Sequence, residues 1–250
     1  MKAMILAAGL GTRLRPLTND RPKALVTVGG HTLLEIALAR LRGFGIREVI
    51  VNAHHFTESI ADYLKANHNF GMRIELSRED PLLDTGGGLK KAAPFFLESG
   101  GSLEEPFLLH NVDVISTIDL SRMLRFHSEQ AALATLAIQN RETSRYLLFD
   151  QEGELCGRRA GRNAETEWAR PVADPQALAF AGIHIISTRI FEKLTEHGAF
   201  SIIAAYLRLA AQGERIVGFR VDNSYWRDLG RPQSVTEAAQ DLASGKFSLL

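Results

Sequence analysis

Hydrophobic and polar positions in the first half of the chain alternate between two periods. Lys2 to Ala8 is a nearly continuous apolar run ending in glycines, which predicts a strand buried on both faces of a parallel sheet. Behind Thr32, residues Leu33, Ile36, Ala37, Leu41 and Phe44 recur at helical spacing, and Gly43 and Gly45 supply the stop. The pattern continues with a strand at Glu48 to Asn52, a helix over Thr57 to Ala66 and a strand at Arg73 to Leu76. A helix over Gly88 to Phe96 and a strand at Phe107 to Leu109 follow. Such βαβαβαβ alternation predicts the α/β class, with a mostly parallel sheet and a ligand crevice at the carboxyl ends of its strands. Site residues are then expected just after strands.

Beyond Asp119 the pattern is less regular. It predicts a helix to Gln130, strands at Ala132 to Ile138, Tyr146 to Phe149, Ala181 to Ile186 and Ile216 to Val221, and helices near Arg189 to Glu196 and Ser201 to Ala211. This half therefore reads as mixed. Between Gly157 and Gln176 lies a polar stretch with Arg158, Arg159, Arg162, Arg170, Pro171 and Pro175, which has neither period and is expected to be a long loop or lid. No internal repeat and no Gly/Ser-rich linker divides the chain.

Composition narrows the class. A chain of 250 residues, 45% hydrophobic and 23% charged, matches one large globular domain spanning 1–250, with 1–118 and 119–250 as its expected halves. Formal net charge is zero, from 29 basic and 29 acidic residues, so no global field gathers nucleic acid or an anionic membrane. Any anionic ligand must be held by local charge. Cys156 is the only cysteine, which excludes an intramolecular disulfide and a multi-cysteine metal site. Gly9, Gly11 and Arg13 interrupt the first apolar run before a signal core is complete, and nothing approaches the ~18 apolar residues of a membrane span. The expected setting is the cytoplasm, as a monomer or homodimer.

Local charge is concentrated in the loop after the first strand, Leu6-Ala-Ala-Gly9-Leu-Gly11-Thr12-Arg13-Leu-Arg15-Pro16-Leu-Thr18-Asn-Asp-Arg21-Pro22-Lys23-Ala-Leu25. Residues 1 to 30 hold five basic side chains, Lys2, Arg13, Arg15, Arg21 and Lys23, against the single acid Asp20. Glycines let backbone amides approach phosphate oxygens, and Arg13 and Lys23 supply fixed positive charge, so the loop suggests a polyphosphate site. It is not a P-loop, because Gly-Lys-Ser/Thr is missing. Nor is it a dinucleotide fingerprint, because Leu14 stands where a third small residue is needed.

The run resembles the signature of the sugar-1-phosphate nucleotidyltransferases, Leu-Ala-Ala-Gly-x-Gly-Thr-Arg-Leu-x-Pro-Leu-Thr followed by Pro-Lys-x-Leu. Asp84-Thr85-Gly86-Gly87-Gly88, Asn111-Val-Asp113 and Trp226-Arg-Asp228-Leu-Gly230 follow in the family's order. The chain looks most like the short N-acetylmuramate-1-phosphate uridylyltransferases. The resemblance implies a Rossmann-like α/β sandwich with a mixed, mostly parallel central sheet. It implies attack by a sugar-1-phosphate oxygen on the α-phosphorus of a nucleoside triphosphate, UTP by this likeness, with pyrophosphate leaving. Guanylyl transfer to a heptose or mannose 1-phosphate is the alternative of the same fold. A nucleotide-binding regulatory module without turnover is the alternative of another class, and Val112, where the family has a small residue, is its sequence support.

On this resemblance Arg13 and Lys23 are the catalytic cations, and Ala8, Gly9, Gly11 and Thr12 meet the nucleotide. Gly86, Gly87 and the side-chain amide of Asn52 are expected at the base edge, although an asparagine ending a strand is also a common turn former. Gly182, in Phe180-Ala-Gly182, would leave room for the hexose. Asp113 and Asp228 each follow an apolar strand and form the expected Mg²⁺ site, since Mg²⁺ takes one or two carboxylates together with substrate phosphates. The bland readings are a turn or helix cap at Asp113 and an ion pair of Asp228 with Arg227. His54 and His55, adjacent on a strand, point to opposite faces and make no zinc pair. Trp168 and the arginines around it are expected either to close over the sugar phosphate or to form a loop of no fixed role.

Overall fold

A computed structural model describes residues 1–98, 105–161 and 164–248. In chain order the elements are β1 (Ala3–Leu6), β2 (Thr27–Val28), β3 (His31–Thr32), α1 (Leu33–Gly43), β4 (Glu48–Ala53), α2 (Thr57–Ala66), β5 (Arg73–Arg78), α3 (Asp84–Lys91), α4 (Ala93–Leu97), β6 (Pro106–Asn111) and β7 (Val114–Ser116). The second half adds α5 (Leu120–Glu129), β8 (Ala134–Gln139), β9 (Tyr146–Phe149), β10 (Leu155–Arg159), β11 (Thr166–Trp168), β12 (Gln176–Ser187), α6 (Ile190–Lys193), α7 (Ile202–Ala211), β13 (Ile216–Arg220), β14 (Trp226–Asp228) and α8 (Pro232–Ala243). The chain divides into two units, neither continuous in sequence. The first holds Met1–Asp84, Leu109–Ile118 and Ser224–Leu250, and the second holds Thr85–Leu108 and Asp119–Asn223.

The first unit is built on parallel strands. β1 pairs with β4 and β4 with β5, in register Ala3↔Val49 and Val49↔Ile74. Ala3, Met4 and Ile5 are fully buried, as a strand covered on both faces requires. α1 starts where Thr32 accepts a hydrogen bond from the Glu35 amide at 3.1 Å, a side-chain cap for one of the helix's orphan donors. It buries Leu34, Ala37, Leu38 and Leu41 and stops at Gly43, with Gly45 in the left-handed region at φ 79°. Two short antiparallel pairs complete the unit, β2 with β3 and β7 with β14.

The second unit is mixed. The long β12 pairs antiparallel with β8 and β9, β10 pairs antiparallel with β9 and β11, and β13 runs parallel to β8. Every residue of β8 is buried, and stacked Phe96, Phe107 and Phe191 rings form a second apolar centre, with Phe96 and Phe107 centroids 4.1 Å apart. Tyr206, fully buried, meets the His184 ring nitrogen Nδ1 through its hydroxyl at 3.0 Å.

The α/β class and the alternation of the first half are as the periodicity predicts, with differences in detail. The helix expected over Gly88 to Phe96 is two helices, α3 and α4, because Pro94 has no N–H to continue the first. The strand expected at Ala181 to Ile186 is the middle of β12, and the helix expected from Arg189 to Glu196 is only the four residues of α6. The polar stretch after Gly157 is not all loop: β10 and β11 form an antiparallel pair inside it, Gly157↔Trp168 and Arg159↔Thr166. Gly157 permits this, since a Cβ there would lie 2.9 Å from the Glu167 carbonyl oxygen. Arg162 lies outside the described residues.

Candidate active site

The first unit gathers most of the charged candidates. β1 ends at Leu6, and the next two amides, of Ala7 and Ala8, donate to Asn52 Oδ1 at 2.7 and 3.3 Å. Asn52 Nδ2 donates to Glu79 Oε1 at 2.7 Å, and Glu79 Oε2 accepts from the Leu83 amide at 2.9 Å. Asn52 and Glu79 are 3% and 2% exposed, so a buried polar chain clamps the start of the glycine loop to the segment after β5. The Asn52 amide thus supports the loop through both its oxygen and its nitrogen. Its partner Glu79 carried no motif, although an acid directly after a strand was a place to look.

The loop then turns outward. Gly11 has φ 63°, and a Cβ on it would lie 3.0 Å from Thr18 Cγ2 and 3.3 Å from Lys23 Cβ, so only glycine fits. Thr18 Oγ1 donates to the Gly11 carbonyl at 2.9 Å and closes the turn. Gly9 is different: it is exposed, lies outside the left-handed region, and a Cβ on it would meet no heavy atom within 4 Å. Thr12 and Arg13 face solvent while Leu14, fully buried, anchors the short 3₁₀ turn between them and the core.

Lys23 Nζ lies directly on the Asp113 carboxylate, and the two side chains are only 15% and 11% exposed. β14 pairs with β7 so that Asp228 stands opposite Val114, and the Leu229 amide donates to the Asp113 carbonyl at 2.8 Å. Asp113 lies in the turn between β6 and β7, after an apolar strand as expected, whereas Asp228 ends a strand of its own, β14, and does not simply trail β13. Asp228 Oδ1 accepts from the Gly230 amide at 2.6 Å. Arg227 turns to Asp241, at 2.5 Å, and to Glu237, which removes the bland reading of an Asp228–Arg227 pair. A Cβ on Gly230 would lie 2.8 Å from Arg13 Nη2, so the guanidinium packs against this bare backbone. Among the described residues Arg13 has no ion-pair partner.

Val112 is 2% exposed, and its amide donates to the Leu6 carbonyl at 3.1 Å. Its side chain is packed within the first unit. His54 Nδ1 meets the Glu79 carbonyl oxygen at 2.8 Å, and among the described residues no three His, Cys, Asp or Glu side chains form a metal-holding group. Burial pushes the Cys156 thiol up to about 11, so it stays protonated.

The remaining candidates lie in the second unit. The Gly86 and Gly87 amides both point at the Phe200 carbonyl, at 2.8 and 3.3 Å, and a Cβ on Gly86 would fall onto the Phe200 ring. Thr85 Oγ1 accepts from the Ile202 amide at 3.0 Å. These contacts tie α3 to the loop before α7, and they engage the donors that were expected to meet a base. Gly182 has φ 76° and sits where the β12–β8 register shifts between Phe180 and His184, a bulge that re-aims the strand. No helix among the described residues is long and apolar enough to cross a membrane.

The chain is 33% identical to an N-acetylmuramate alpha-1-phosphate uridylyltransferase of Caulobacter vibrioides, over 96% of each chain. It is 31% identical to the protein of that name from Neisseria meningitidis serogroup B, over 95% of this chain and 96% of the relative. A mannose-1-phosphate guanylyltransferase of Mycobacterium tuberculosis is 28% identical over 97% of this chain and 65% of its own length. The solved structure of HddC from Yersinia pseudotuberculosis, complexed with GMP-PN, superposes with a TM-score of 0.75 over 96% of this chain and 98% of its own, at 20% identity, and supports the Rossmann-like fold. The family model for nucleotidyl transferases matches residues 2–245, and the chain belongs to that family.

Proposed function

We propose that this protein transfers a uridylyl group from UTP to a sugar 1-phosphate, N-acetylmuramate 1-phosphate by likeness to its relatives, in the cytoplasm. A phosphate oxygen of the sugar 1-phosphate forms a bond to the α-phosphorus, the bond from that phosphorus to the bridging oxygen breaks, and pyrophosphate leaves with the electron pair. The acceptor is already an oxyanion, so no protein nucleophile and no general base are needed. What the protein must supply is position and compensating charge.

The observation that carries this reading is the cluster of Gly9, Arg13, Lys23, Asp113 and Asp228 in one unit. Asp113 holds the Lys23 ammonium beside the loop before substrate arrives, and Arg13 stands ready without an acidic partner. The open space beyond Gly9 admits a phosphate up to the backbone, and Ala8, Gly11 and Thr12 shape that cradle. Asp113 and Asp228 fit Mg²⁺, which prefers oxygen donors and takes the rest of its shell from phosphates and water. When bound there, Mg²⁺ would neutralise charge on the phosphate oxygens.

Gly182 and its bulge mark the acceptor-sugar side. Gly86 and Gly87 are proposed to act through packing, by fixing the Phe200 loop. The test is pyrophosphate release with UTP, GTP, CTP and dTTP against N-acetylmuramate, N-acetylglucosamine, mannose and glucose 1-phosphates, with and without Mg²⁺. Turnover with UTP and Mg²⁺ is expected. A clear preference for GTP would move the assignment to guanylyl transfer, in line with the mycobacterial relative.

A further inference from the structure

The first unit holds a cavity of about 470 Å³, a volume within the range of small-molecule sites, and every residue lining it belongs to that unit. None of Arg13, Lys23, Asp113 and Asp228 lines it. Part of its lining is exposed and basic. Arg42 and Arg47 face solvent there, no acidic side chain stands in the lining, and neither arginine has a carboxylate partner among the described residues. Both donate to backbone carbonyls, Arg42 to Phe70 at 3.2 Å and Arg47 to Arg42 at 2.6 Å, and so hold their positive charge in place without cancelling it. Ile36, Phe44, Ile115 and Phe247 make apolar walls.

The rest of the lining is buried, polar and unpaired. His110 and Ser116 are 1% and 3% exposed, and His110 Nε2 and Ser116 Oγ have no hydrogen-bond partner among the described residues. Buried polar atoms are rarely left so. The tautomer of His110 fixes what it lacks. Its Nδ1 lies 2.8 Å from the Asn111 carbonyl oxygen, which can only accept, so Nδ1 carries the proton and Nε2 presents a lone pair. Burial holds the imidazole down to about 4, which keeps Nε2 unprotonated at neutral pH. Nε2 therefore requires a hydroxyl or N–H donor, and the Ser116 hydroxyl takes either role. Water satisfies single polar atoms, but it answers neither the two arginines nor the apolar walls.

We infer that this cavity is a second ligand site, which takes a small organic anion with an apolar ring and one hydroxyl or N–H donor. The acid group falls to Arg42 and Arg47, the ring to the apolar walls and the donor to His110 Nε2. His110 stands on β6 and Ser116 on β7, the strands joined by the turn that holds Asp113, so a ligand bonded to both ties those strands together. Binding there is independent of nucleotidyl transfer and is read without turnover.

Calorimetric titration of the full chain with para-hydroxybenzoate, para-hydroxyphenylacetate and para-hydroxyphenylpropanoate tests the site, since the three space the same two groups differently. Each is set against its counterpart without the hydroxyl, and para-hydroxybenzyl alcohol serves as the uncharged control. At least one hydroxy acid is expected to bind, one per chain, about tenfold tighter than its counterpart, with no measurable binding of the alcohol. His110→Phe should abolish the preference for the hydroxyl, while Arg42→Gln and Arg47→Gln should weaken hydroxylated and plain acids alike, by about 5- to 10-fold. If His110→Phe does not fold, Ser116→Ala and the two exposed arginine variants carry the comparison. No binding by any acid would leave the buried atoms to water and overturn the site. Equal affinity with and without the hydroxyl, or affinities unchanged in the variants, would overturn it as well.

Discussion

Gly9→Ala and Gly11→Ala add the same methyl group two positions apart, and the structure gives them opposite consequences. At Gly11 the new Cβ is forced into the left-handed region at φ 63° and approaches Thr18 Cγ2 to 3.0 Å. Left-handed backbone costs an L-residue roughly 1–2 kcal/mol, and relief of the contact adds to it, for a loss of about 1–3 kcal/mol. For a protein of this size that lowers Tm by roughly 2–10 °C. At Gly9 no heavy atom stands within 4 Å of the new methyl and the backbone is unstrained, so stability should stay within about 0.5 kcal/mol of wild type. The same methyl would nonetheless occupy the open space assigned to a nucleotide phosphate. Displacing a reacting phosphate by about 1 Å can cost ~100-fold, so kcat/KM for the nucleotide should fall about 10- to 100-fold. Thermal melts and pyrophosphate release on the same preparations separate the two effects. Gly9→Ala with full kcat/KM would show that no ligand approaches the loop there, and a Tm loss equal to that of Gly11→Ala would show that its surroundings are not open.

Four further outcomes follow from the structure. Lys23→Ala should lower kcat by ~100- to 1,000-fold in the pyrophosphate assay, and near-normal turnover would remove Lys23 from the charge-stabilising role. Asp228→Asn keeps the oxygen that accepts from Gly230, so its melt should be nearly unchanged while the Mg²⁺ concentration for half-maximal rate rises about tenfold or more. Asp113→Asn also removes the partner of Lys23 and should lose up to about 3 kcal/mol of stability in addition; equal melts for the two variants would contradict this. His110 and His127 are held down to about 4 by burial, so both are neutral in the folded chain and protonate more readily when it unfolds. Stability should therefore be full above about pH 6.5 and fall as pH drops towards about 4, by up to about 3 kcal/mol per histidine. His127→Gln should flatten the dependence of Tm on pH, and an unaltered slope would refute the assignment.

The parallel strands were legible because burial on both faces writes itself as an unbroken apolar run, and Ala3–Leu6 and Glu48–Ala53 fall within or close to those runs. The glycine loop was legible because the requirement at Gly11 is local, a turn that no side chain can enter. The pairing of β7 with β14 was not, since three-residue strands have no period and their partner comes from the far end of the chain. Asp113 and Asp228 were found by their places after apolar runs, which says where a carboxylate lies but not what bonds to it. Asn52 shows the same limit. Its place at the end of a buried strand was legible, yet its amide serves Ala7, Ala8 and Glu79, and only the folded backbone reveals that commitment. The β10–β11 hairpin was hidden because charged side chains on a half-exposed edge blur the alternation.

The interrupted make-up of the first unit has a consequence for synthesis. Chains emerge from the ribosome amino end first and acquire structure as they emerge. β7, with its buried Val114, Ile115 and Ser116, is made early but finds its partner only when β14 arrives, after the whole second unit has been translated. Until then its edge offers unpaired amides and carbonyls to any other strand nearby, a hazard for the nascent chain. The same late event delivers Asp228. A chain released before residue 224 would carry the glycine loop, Lys23 and Asp113 but not Asp228, and in the proposed reaction it would lack the second carboxylate of the metal site. In that reaction turnover would require translation to have run through the closing segment.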